Sequence, residues 1–225
     1  FLGYREYAIA SKGKSQISVV PRTGLGILRK SNIMVFVALK SGAALPPEIA
    51  DFVRKPTLLM LGKANRRSTI HRPVHLDTIG IKLFNRAGRV VGERLFAGLF
   101  TSDVYNEGAR GIPLVRRKVD NIVSRSGFPP QSHNAKALLN ILENLPRNEL
   151  LQIGEDALLA TSLGVLRLQE RQRIKLFAHP DPYGHYVSCL VYAPRDRYGT
   201  ELREIMQKII EDGFGGVVTA YYTQL

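Results

Sequence analysis

The C-terminal third of the chain carries the feature that most constrains its fold, a repeated switch between the hydrophobic periods of strands and helices. Residues 150–153 form a short apolar run that predicts a strand, and residues 155–170 place leucines at helical spacing. Residues 173–179 and 186–192 alternate between apolar and polar positions, and an Asp-Pro-Tyr-Gly turn at 181–184 separates them. The pattern predicts a strand, a helix and then a hairpin.

A second helix and a last strand complete this pattern. The segment 201–211 has apolar residues at helical spacing, with Thr200 as the N-cap and Gly213 just beyond the end. These apolar residues are Leu202, Ile205, Met206, Ile209 and Ile210. Residues 216–222 are β-branched and aromatic, which is typical of a strand. The βαββαβ order predicts a ferredoxin-like domain, with Ile205 buried where the second helix covers the sheet.

Two further helices are predicted within residues 111–147. Pro113 suits the first turn of one helix, and Ser132 caps the other, which Pro146 ends. A DNA-binding helix-turn-helix has a turn of about three to four residues, whereas this connection is longer and contains two prolines. We therefore interpret residues 111–147 as a helical linker.

Residues 1–110 are rich in predicted strands. The segments concerned are 1–10, 17–20, 57–61, 75–84 and 89–100. An Asn-Arg-Ala-Gly turn at 85–88 would pair the last two strands as a long hairpin, and Pro47–Val53 is the predicted helix. These elements predict a mixed α/β, sensor-like domain whose opening elements precede Phe1.

The whole chain is thus predicted to be α+β, with a β-rich domain over 1–110, a helical linker over 111–147 and a ferredoxin-like domain over 148–225. No apolar run approaches the roughly 18 residues of a membrane span. Cys189 is the sole cysteine, so an intramolecular disulfide is excluded and a reducing, cytoplasmic location is expected. Because the chain opens on Phe1 without a signal peptide, we interpret it as a piece of a longer polypeptide.

The net charge of +13 is concentrated in one window. Residues 54–94 carry ten Lys or Arg and two Asp or Glu, whereas residues 95–225 carry fifteen and fourteen. The candidate docking patch in this window consists of Lys63, Arg66, Arg67 and Arg72. Three interpretations stay open: a solvated face, a docking surface for an acidic partner or neighbouring subunit, and a nucleic-acid surface. The densest basic stretch has no interleaved aromatic residue for base stacking, which weakens the last.

The sequence contains no recognisable catalytic, cofactor-binding or metal-binding motif, so no residue is nominated for these roles. A glycine pair at 24–26 begins like a dinucleotide loop, but Arg29 stands where a third Gly or Ala is needed. His71 and His75 have i, i+4 spacing, but Pro73 between them favours extended chain over a helix.

Gly154 is the candidate effector loop, because it lies where a predicted strand meets the N-terminus of a predicted helix. Glu155 and Asp156 follow it at once and already complement the helix dipole. They would repel the carboxylate of an amino-acid effector, so simple helix capping is the competing interpretation.

Several separated motifs together resemble the amino-terminal regulatory half of the large bacterial NAD-specific glutamate dehydrogenases. They are Leu2-Gly3-Tyr4-Arg5-Glu6-Tyr7, Ile70-His71-Arg72-Pro73, Gly92-Glu93-Arg94, Gly98-Leu99-Phe100-Thr101-Ser102, Ile112-Pro113, Arg117-Lys118, Pro146-Arg147-Asn148-Glu149-Leu150 and Pro194-Arg195-Asp196-Arg197-Tyr198. The similarity runs along nearly the whole chain. Asn148 departs from the Asp expected in that family's Pro-Arg-Asp-Glu-Leu pattern.

The resemblance implies a cytosolic polypeptide with PAS-like and ACT-like modules in its amino-terminal half and a dehydrogenase domain far downstream. The implied enzyme oxidatively deaminates L-glutamate to 2-oxoglutarate with NAD, and this segment would be its non-catalytic regulatory and assembly part, without a cofactor of its own. Implied partners are other subunits of a homo-oligomer, the downstream catalytic domain and a small-molecule effector. The alternative is an autonomous module that binds RNA or another polyanion through residues 54–94.

Overall fold

The computed structural model describes residues 1–10, 17–30, 45–168 and 173–224. The described strands are β1 (Gly3–Ile9), β2 (Ile17–Val19), β3 (Leu25–Gly26), β4 (Leu59–Arg67), β5 (His75–Phe84), β6 (Val90–Gly98), β7 (Lys175–Pro180) and β8 (Val187–Tyr192). The described α-helices are α1 (Pro47–Arg54), α2 (Ser102–Asn106), α3 (Pro113–Arg125), α4 (His133–Asn144), α5 (Arg147–Gln152), α6 (Glu155–Leu166) and α7 (Thr200–Phe214). None of these helices is long and apolar enough to cross a membrane.

The N-terminal strands form an antiparallel sheet in the order β2-β1-β6-β5-β4, with β3 paired to β1. Burial alternates along β1, so every second residue faces the core. The predicted turn at 85–88 joins β5 to β6: the Asn85 side chain accepts hydrogen bonds from two backbone N–H groups, and Gly88 has φ +72°. The sheet-rich N-terminal part and its long hairpin are therefore confirmed.

Helix α1 supplies part of the hydrophobic core of this sheet. It begins with Pro47 in its first turn, as predicted, and buries Ile49, Ala50 and Val53. The core cluster also contains the fully buried Leu28 and Leu76. A helix that packs against an antiparallel sheet in this way is typical of an α+β fold.

The helices α3 to α6 form a second hydrophobic core. Helix α3 buries Val115, Val119 and Ile122 on one stripe, and α4 buries Leu138 and Leu142. The two helices begin as the sequence predicts, α3 with Pro113 at its start and α4 with the Ser132 hydroxyl accepting from Ala135 N at 3.1 Å.

Two sequence predictions in the next segment are wrong. Residues 150–153, predicted as a strand, lie mainly in helix α5, whose Leu150 and Leu151 are buried in the helical core. An apolar run of four residues has no diagnostic period, and Pro146 ahead of it favours a helix start. Helix α6 begins as predicted and ends at Leu166, but its buried residues lie off the predicted stripe of Leu159, Leu163 and Leu166. The buried residues are Leu158, Thr161, Ser162 and Val165.

The C-terminal hairpin β7–β8 is confirmed, but the four-stranded ferredoxin-like sheet is not present in the described residues. Residues 216–222, predicted as a strand, have no strand partner there. This tail returns along α7 instead: Glu211 accepts a hydrogen bond from Val218 N at 2.9 Å, and the Arg203 guanidinium lies 4.7 Å from the Tyr221 ring centroid. A strand needs a paired neighbour for its backbone groups, and local contacts with α7 replace that pairing.

Helix α7 has the predicted bounds to within a few residues, but its caps are Gly199 and Gly215 rather than Thr200 and Gly213, and its burial is not as predicted. None of its described residues is buried, and Ile205 is 50% exposed. The expectation that Ile205 packs against the C-terminal sheet is therefore wrong, because the described sheet has only the two strands β7 and β8 to offer.

Candidate functional site

The hairpin β7–β8 is the candidate functional site, because it contacts both hydrophobic cores of the chain. Leu190 on β8 packs against the helical core. Tyr183, at the tip of the same hairpin, belongs to the core of the N-terminal sheet. One short element therefore joins the sheet, the helices and the C-terminal segment.

Polar side chains fix the body of the hairpin to α5 and α6. The Ser188 hydroxyl donates to Glu149, and the Tyr186 hydroxyl donates to Gln152. Both acceptors lie on α5, whereas Ser188 lies on β8 and Tyr186 directly precedes that strand. Farther along, Thr161 Oγ1 on α6 lies 3.2 Å from the His179 ring. Hydrogen bonds of this kind specify the register of the two elements more strictly than apolar contact alone.

Gly164 explains how closely the hairpin approaches α6. A Cβ atom at this position would lie 2.6 Å from the Phe177 ring on β7, nearer than side-chain atoms can pack. Gly164 sits inside a helix, where glycine costs about 1 kcal/mol relative to alanine. The close helix-to-strand contact is the structural reason for a glycine here.

Glu149 is the most unusual group at this junction. Glu149 is 8% exposed, and its Oε2 atom has no hydrogen-bond partner among the described residues. Burial raises the pKa of its carboxyl, although the Ser188 hydrogen bond and the nearby His179 act in the opposite direction. A buried carboxyl oxygen without a partner costs stability when the group is ionised.

Cys189 lies on the same strand as Ser188. Burial and the neighbouring Glu149 raise the pKa of its thiol. Because the thiolate is the nucleophilic form, this environment disfavours a reactive cysteine.

Lys118 on α3 binds the C-terminal end of α5. Its Nζ donates to the carbonyl oxygens of Leu150 at 2.7 Å and Ile153 at 2.7 Å, at the end of a helix where carbonyls lack intrahelical partners. Burial lowers the pKa of Lys118 to about 8, and Glu155 partly opposes this shift. Lys118 thus fixes a short helix that would be marginal alone.

Gly154 lies between α5 and α6 as the residue that precedes the first turn of α6. The first two residues of that helix are already engaged with α3. Glu155 accepts from Asn121 at 3.1 Å, and Asp156 pairs with Arg125 at 2.5 Å. These contacts fit the capping interpretation, while an effector at Gly154 stays a prediction.

The basic docking patch lies at the end of β4 and in the connection to β5. Arg66, Arg67 and Arg72 are exposed, whereas Lys63 pairs with the buried Asp77 at 2.6 Å. Lys63 thus has a buried carboxylate as its partner, whereas Arg72 donates to the carbonyl oxygen of Phe100 at 2.9 Å and Arg67 to that of Pro73 at 3.4 Å.

Other cations of the 54–94 window also have internal partners. Lys82 forms a buried ion pair with Glu93, and Arg94 lies 3.2 Å from Glu6. The charge available to an external polyanion is accordingly smaller than the sequence count indicates.

An open groove of about 3150 Å³ runs between the patch and the C-terminal segment. Its basic wall includes Lys63, Arg67, Arg72 and Arg147, and α7 with its tail lines another side. Small-molecule pockets measure about 300–1,000 Å³, so this open groove is not a closed small-molecule pocket. No group of three or more potential metal ligands occurs in the described ranges.

Sequence reasoning missed Glu149 and Tyr183 as important positions. Glu149 figures in the sequence analysis only within a motif of the family resemblance, and Tyr183 only in a predicted turn. Long-range burial defines both residues, and no local period reports it.

Comparison with family models gives two matches. Residues 112–171 match the family described as "Glutamate dehydrogenase, helical motif 1", which covers α3 to α6. Residues 175–225 match the family described as "Glutamate dehydrogenase, ACT2 domain", which begins at the hairpin. The hairpin contact with α5 and α6 is therefore a contact between these two matched regions.

Curated relatives extend the similarity to the N-terminal part. The chain is 38% identical over 211 residues to NAD-specific glutamate dehydrogenase from Halomonas elongata and to the protein of the same name from Pseudomonas aeruginosa, in each case over 93% of this chain. It is 33% identical over 215 residues to the Mycobacterium tuberculosis protein of that name. The chain spans only 12–13% of the length of these relatives. The resemblance inferred from the sequence is confirmed, and the match to an ACT2 domain begins at residue 175 rather than at the predicted residue 148.

Proposed function

We propose that this chain, which is similar over most of its length to NAD-specific glutamate dehydrogenases, is a non-catalytic regulatory and assembly segment of such an enzyme. The observation that carries the proposal is the hairpin β7–β8. It begins the ACT2 match, packs against the matched helical motif and inserts Tyr183 into the N-terminal sheet. A change in one region therefore has a physical route to the other two.

The whole enzyme, in this proposal, oxidises L-glutamate to 2-oxoglutarate with NAD in the cytoplasm. The dehydrogenase domain and the NAD site belong to the remainder of the polypeptide. The segment described here contributes no cofactor site, and its influence on the distant active site is allosteric. Residues 1–110 act as a PAS-like module, supported by the antiparallel sheet with α1 against it.

Helix α7 and its tail supply the assembly surface. Ile205, Ile209, Phe214 and Val217 are exposed by 50%, 64%, 49% and 80%, respectively. Exposed apolar residues that cluster on one element typically mark an interaction site. The occupant we propose is another part of the dehydrogenase polypeptide, because the relatives contain about seven times more chain than the segment matched here.

A direct activity assay tests the proposal that the chain is non-catalytic. The purified chain is incubated with L-glutamate and NAD, and NADH formation is followed, with the full-length Pseudomonas aeruginosa enzyme as the positive control. We expect no NADH above a mock preparation. Turnover by the purified chain would contradict the proposal.

A further inference from the structure

The tip of the hairpin β7–β8 is a turn that holds its own shape. Asp181 accepts hydrogen bonds from the backbone N–H of Tyr183 at 3.1 Å and of His185 at 3.2 Å. Asp181 N donates to Tyr186 O at 2.9 Å, and Gly184 has φ +72°, which glycine adopts without strain. The turn therefore presents Tyr183 in a fixed direction.

Tyr183 inserts into the N-terminal module, next to the buried Asp181 and the buried side chain of His185. Tyr183 is 6% exposed, whereas Pro182 and Gly184 on either side of it are exposed. Its ring packs edge-on against Phe52 of α1, with centroids 5.3 Å apart, and stacks on the His185 ring at 5.9 Å. Edge-on and stacked arrangements are the favoured geometries of aromatic pairs.

The chemistry around this ring suits a neutral phenol. Burial, together with the negative charges of Glu93 and Asp181, raises the pKa of Tyr183 well above its ordinary value. The hydroxyl therefore stays protonated at every physiological pH. Glu93 is itself held by the buried Lys82, so the polar end of the site is built from the N-terminal sheet.

Apolar residues of the sheet and α1 form the walls around Tyr183. Their shared cluster includes the fully buried Leu28, Leu76, Leu95 and Val53. A cavity left in a well-packed core persists and binds a small aromatic molecule of matching size.

We propose that the space between α1 and the N-terminal sheet is a binding site for a neutral phenolic ring, which Tyr183 of the C-terminal hairpin occupies in cis. The site recognises the ring through Phe52 and the sheet core, and it takes a hydroxyl at the end near Glu93. A free phenol and the hairpin tip compete for this site.

Removal of the Tyr183 ring and its replacement from solution test the site directly. We expect Tyr183→Ala to lower the thermal midpoint of the whole chain by about 5 °C or more, as loss of a buried aromatic ring does in a chain of this size. Addition of p-cresol, which is the tyrosine side chain as a free molecule, should return about 3 °C in a saturable way. Toluene, which lacks the hydroxyl, should return less.

Two controls isolate the site from general effects of phenols. Tyr222→Ala removes a tyrosine that is 94% exposed, so its midpoint should stay at the wild-type value with and without p-cresol. The wild-type chain should not be stabilised by p-cresol either, because Tyr183 fills the site. Hydrogen exchange should show faster exchange of α1 amides in Tyr183→Ala and recovery with p-cresol.

The proposal is overturned if p-cresol fails to stabilise Tyr183→Ala, or if it stabilises Tyr222→Ala and the wild-type chain equally. Should Tyr183→Ala give no soluble protein, expression and lysis with p-cresol present should recover it. Failure of that recovery also overturns the proposal. None of these measurements depends on glutamate dehydrogenase activity, so they stand apart from the test of the proposed function.

Discussion

Helices α3 and α7 have similar amphipathic sequences, but their apolar side chains differ in burial. The apolar stripe of α3 is fully buried, with Val115, Val119 and Ile122 all at 0% exposure. The apolar positions of α7 include Ile205 and Ile209, which are at least half exposed. The difference lies in the neighbours: α3 packs among α4, α5 and α6, whereas no comparable layer covers α7 in the part of the chain that the structure describes.

This contrast shows what amphipathic spacing establishes. It predicts that a segment is helical and which face is apolar, and both held for α7. It does not say whether the partner that buries the face belongs to the same stretch of chain. In the proposed function, that partner is the remainder of a dehydrogenase polypeptide.

The largest expected effect is in α3. Ile122→Ala should destabilise the chain by about 4 kcal/mol, because a fully buried large side chain is lost from a packed core. Urea denaturation measures the change. Leu114→Ala on the same helix is the matched control, and its 39% exposure predicts a much smaller cost. Equal midpoint shifts would remove the distinction between the two faces of α3.

A smaller loss is expected when the cap of α5 is removed. Lys118→Met keeps the length of the side chain but leaves the carbonyls of Leu150 and Ile153 without their donor. Unsatisfied buried acceptors of this kind cost about 1–3 kcal/mol in total stability. The exposed Lys136→Met on α4 serves as the control in the same urea titration. A cost no larger than that of the control would show that α5 does not need Lys118.

A substitution of Glu149 is expected to stabilise the chain rather than destabilise it, and a pH titration tests this. Because the folded-state pKa of Glu149 is raised, the folded chain binds this proton more tightly than the unfolded chain, and stability falls as pH rises above the ordinary value of 4.5. Glu149→Gln cannot ionise and avoids this loss. We expect it to be more stable than wild type by about 1 kcal/mol at pH 7, with the gap closing towards pH 4.

The exposed Glu48→Gln on α1 is the control, and it should be no more stable than wild type at pH 7, because Glu48 lies in the first turn of its helix where a negative charge is favourable. A Glu149→Gln chain that was less stable than wild type at pH 7 would mean that the ionised carboxylate stabilises the junction.

The smallest effect is expected in α7. Ile205→Ala should change stability by less than about 0.5 kcal/mol in the chain by itself, since half of the side chain is already in water. The same urea titration as for Ile122→Ala measures it. A loss of stability comparable to that of Ile122→Ala would show that Ile205 lies in a packed core. It would contradict the difference in burial between α3 and α7.

The sequence was sufficient where local signals and packing agree. The alternation on β1, the Asn85 turn and the Ser132 cap each act over a few residues, and each element was found. It was insufficient where a distant partner decides the outcome. The run at 150–153 became a helix in contact with α3, and the tail at 216–222 folded along α7 rather than into a sheet.

The candidate site shows the same division. The docking role of the basic patch stays a prediction from charge density, although its residues Lys63, Arg67 and Arg72 line the groove. The pairing of Lys63 with Asp77 and the insertion of Tyr183 depend on residues far away in sequence. Neither follows from spacing, because contacts between distant segments leave no local period.

The central claim, that this chain regulates and assembles a dehydrogenase through its own surfaces, is tested most directly by a charge on the exposed face of α7. Ile209→Glu is introduced into the full polypeptide that carries this segment, and glutamate-dependent NADH formation is measured together with the mass by light scattering. The account predicts a loss of activity or of assembly mass, while the isolated chain with the same substitution unfolds at the wild-type urea midpoint. Unchanged activity and unchanged mass in the full polypeptide would contradict it.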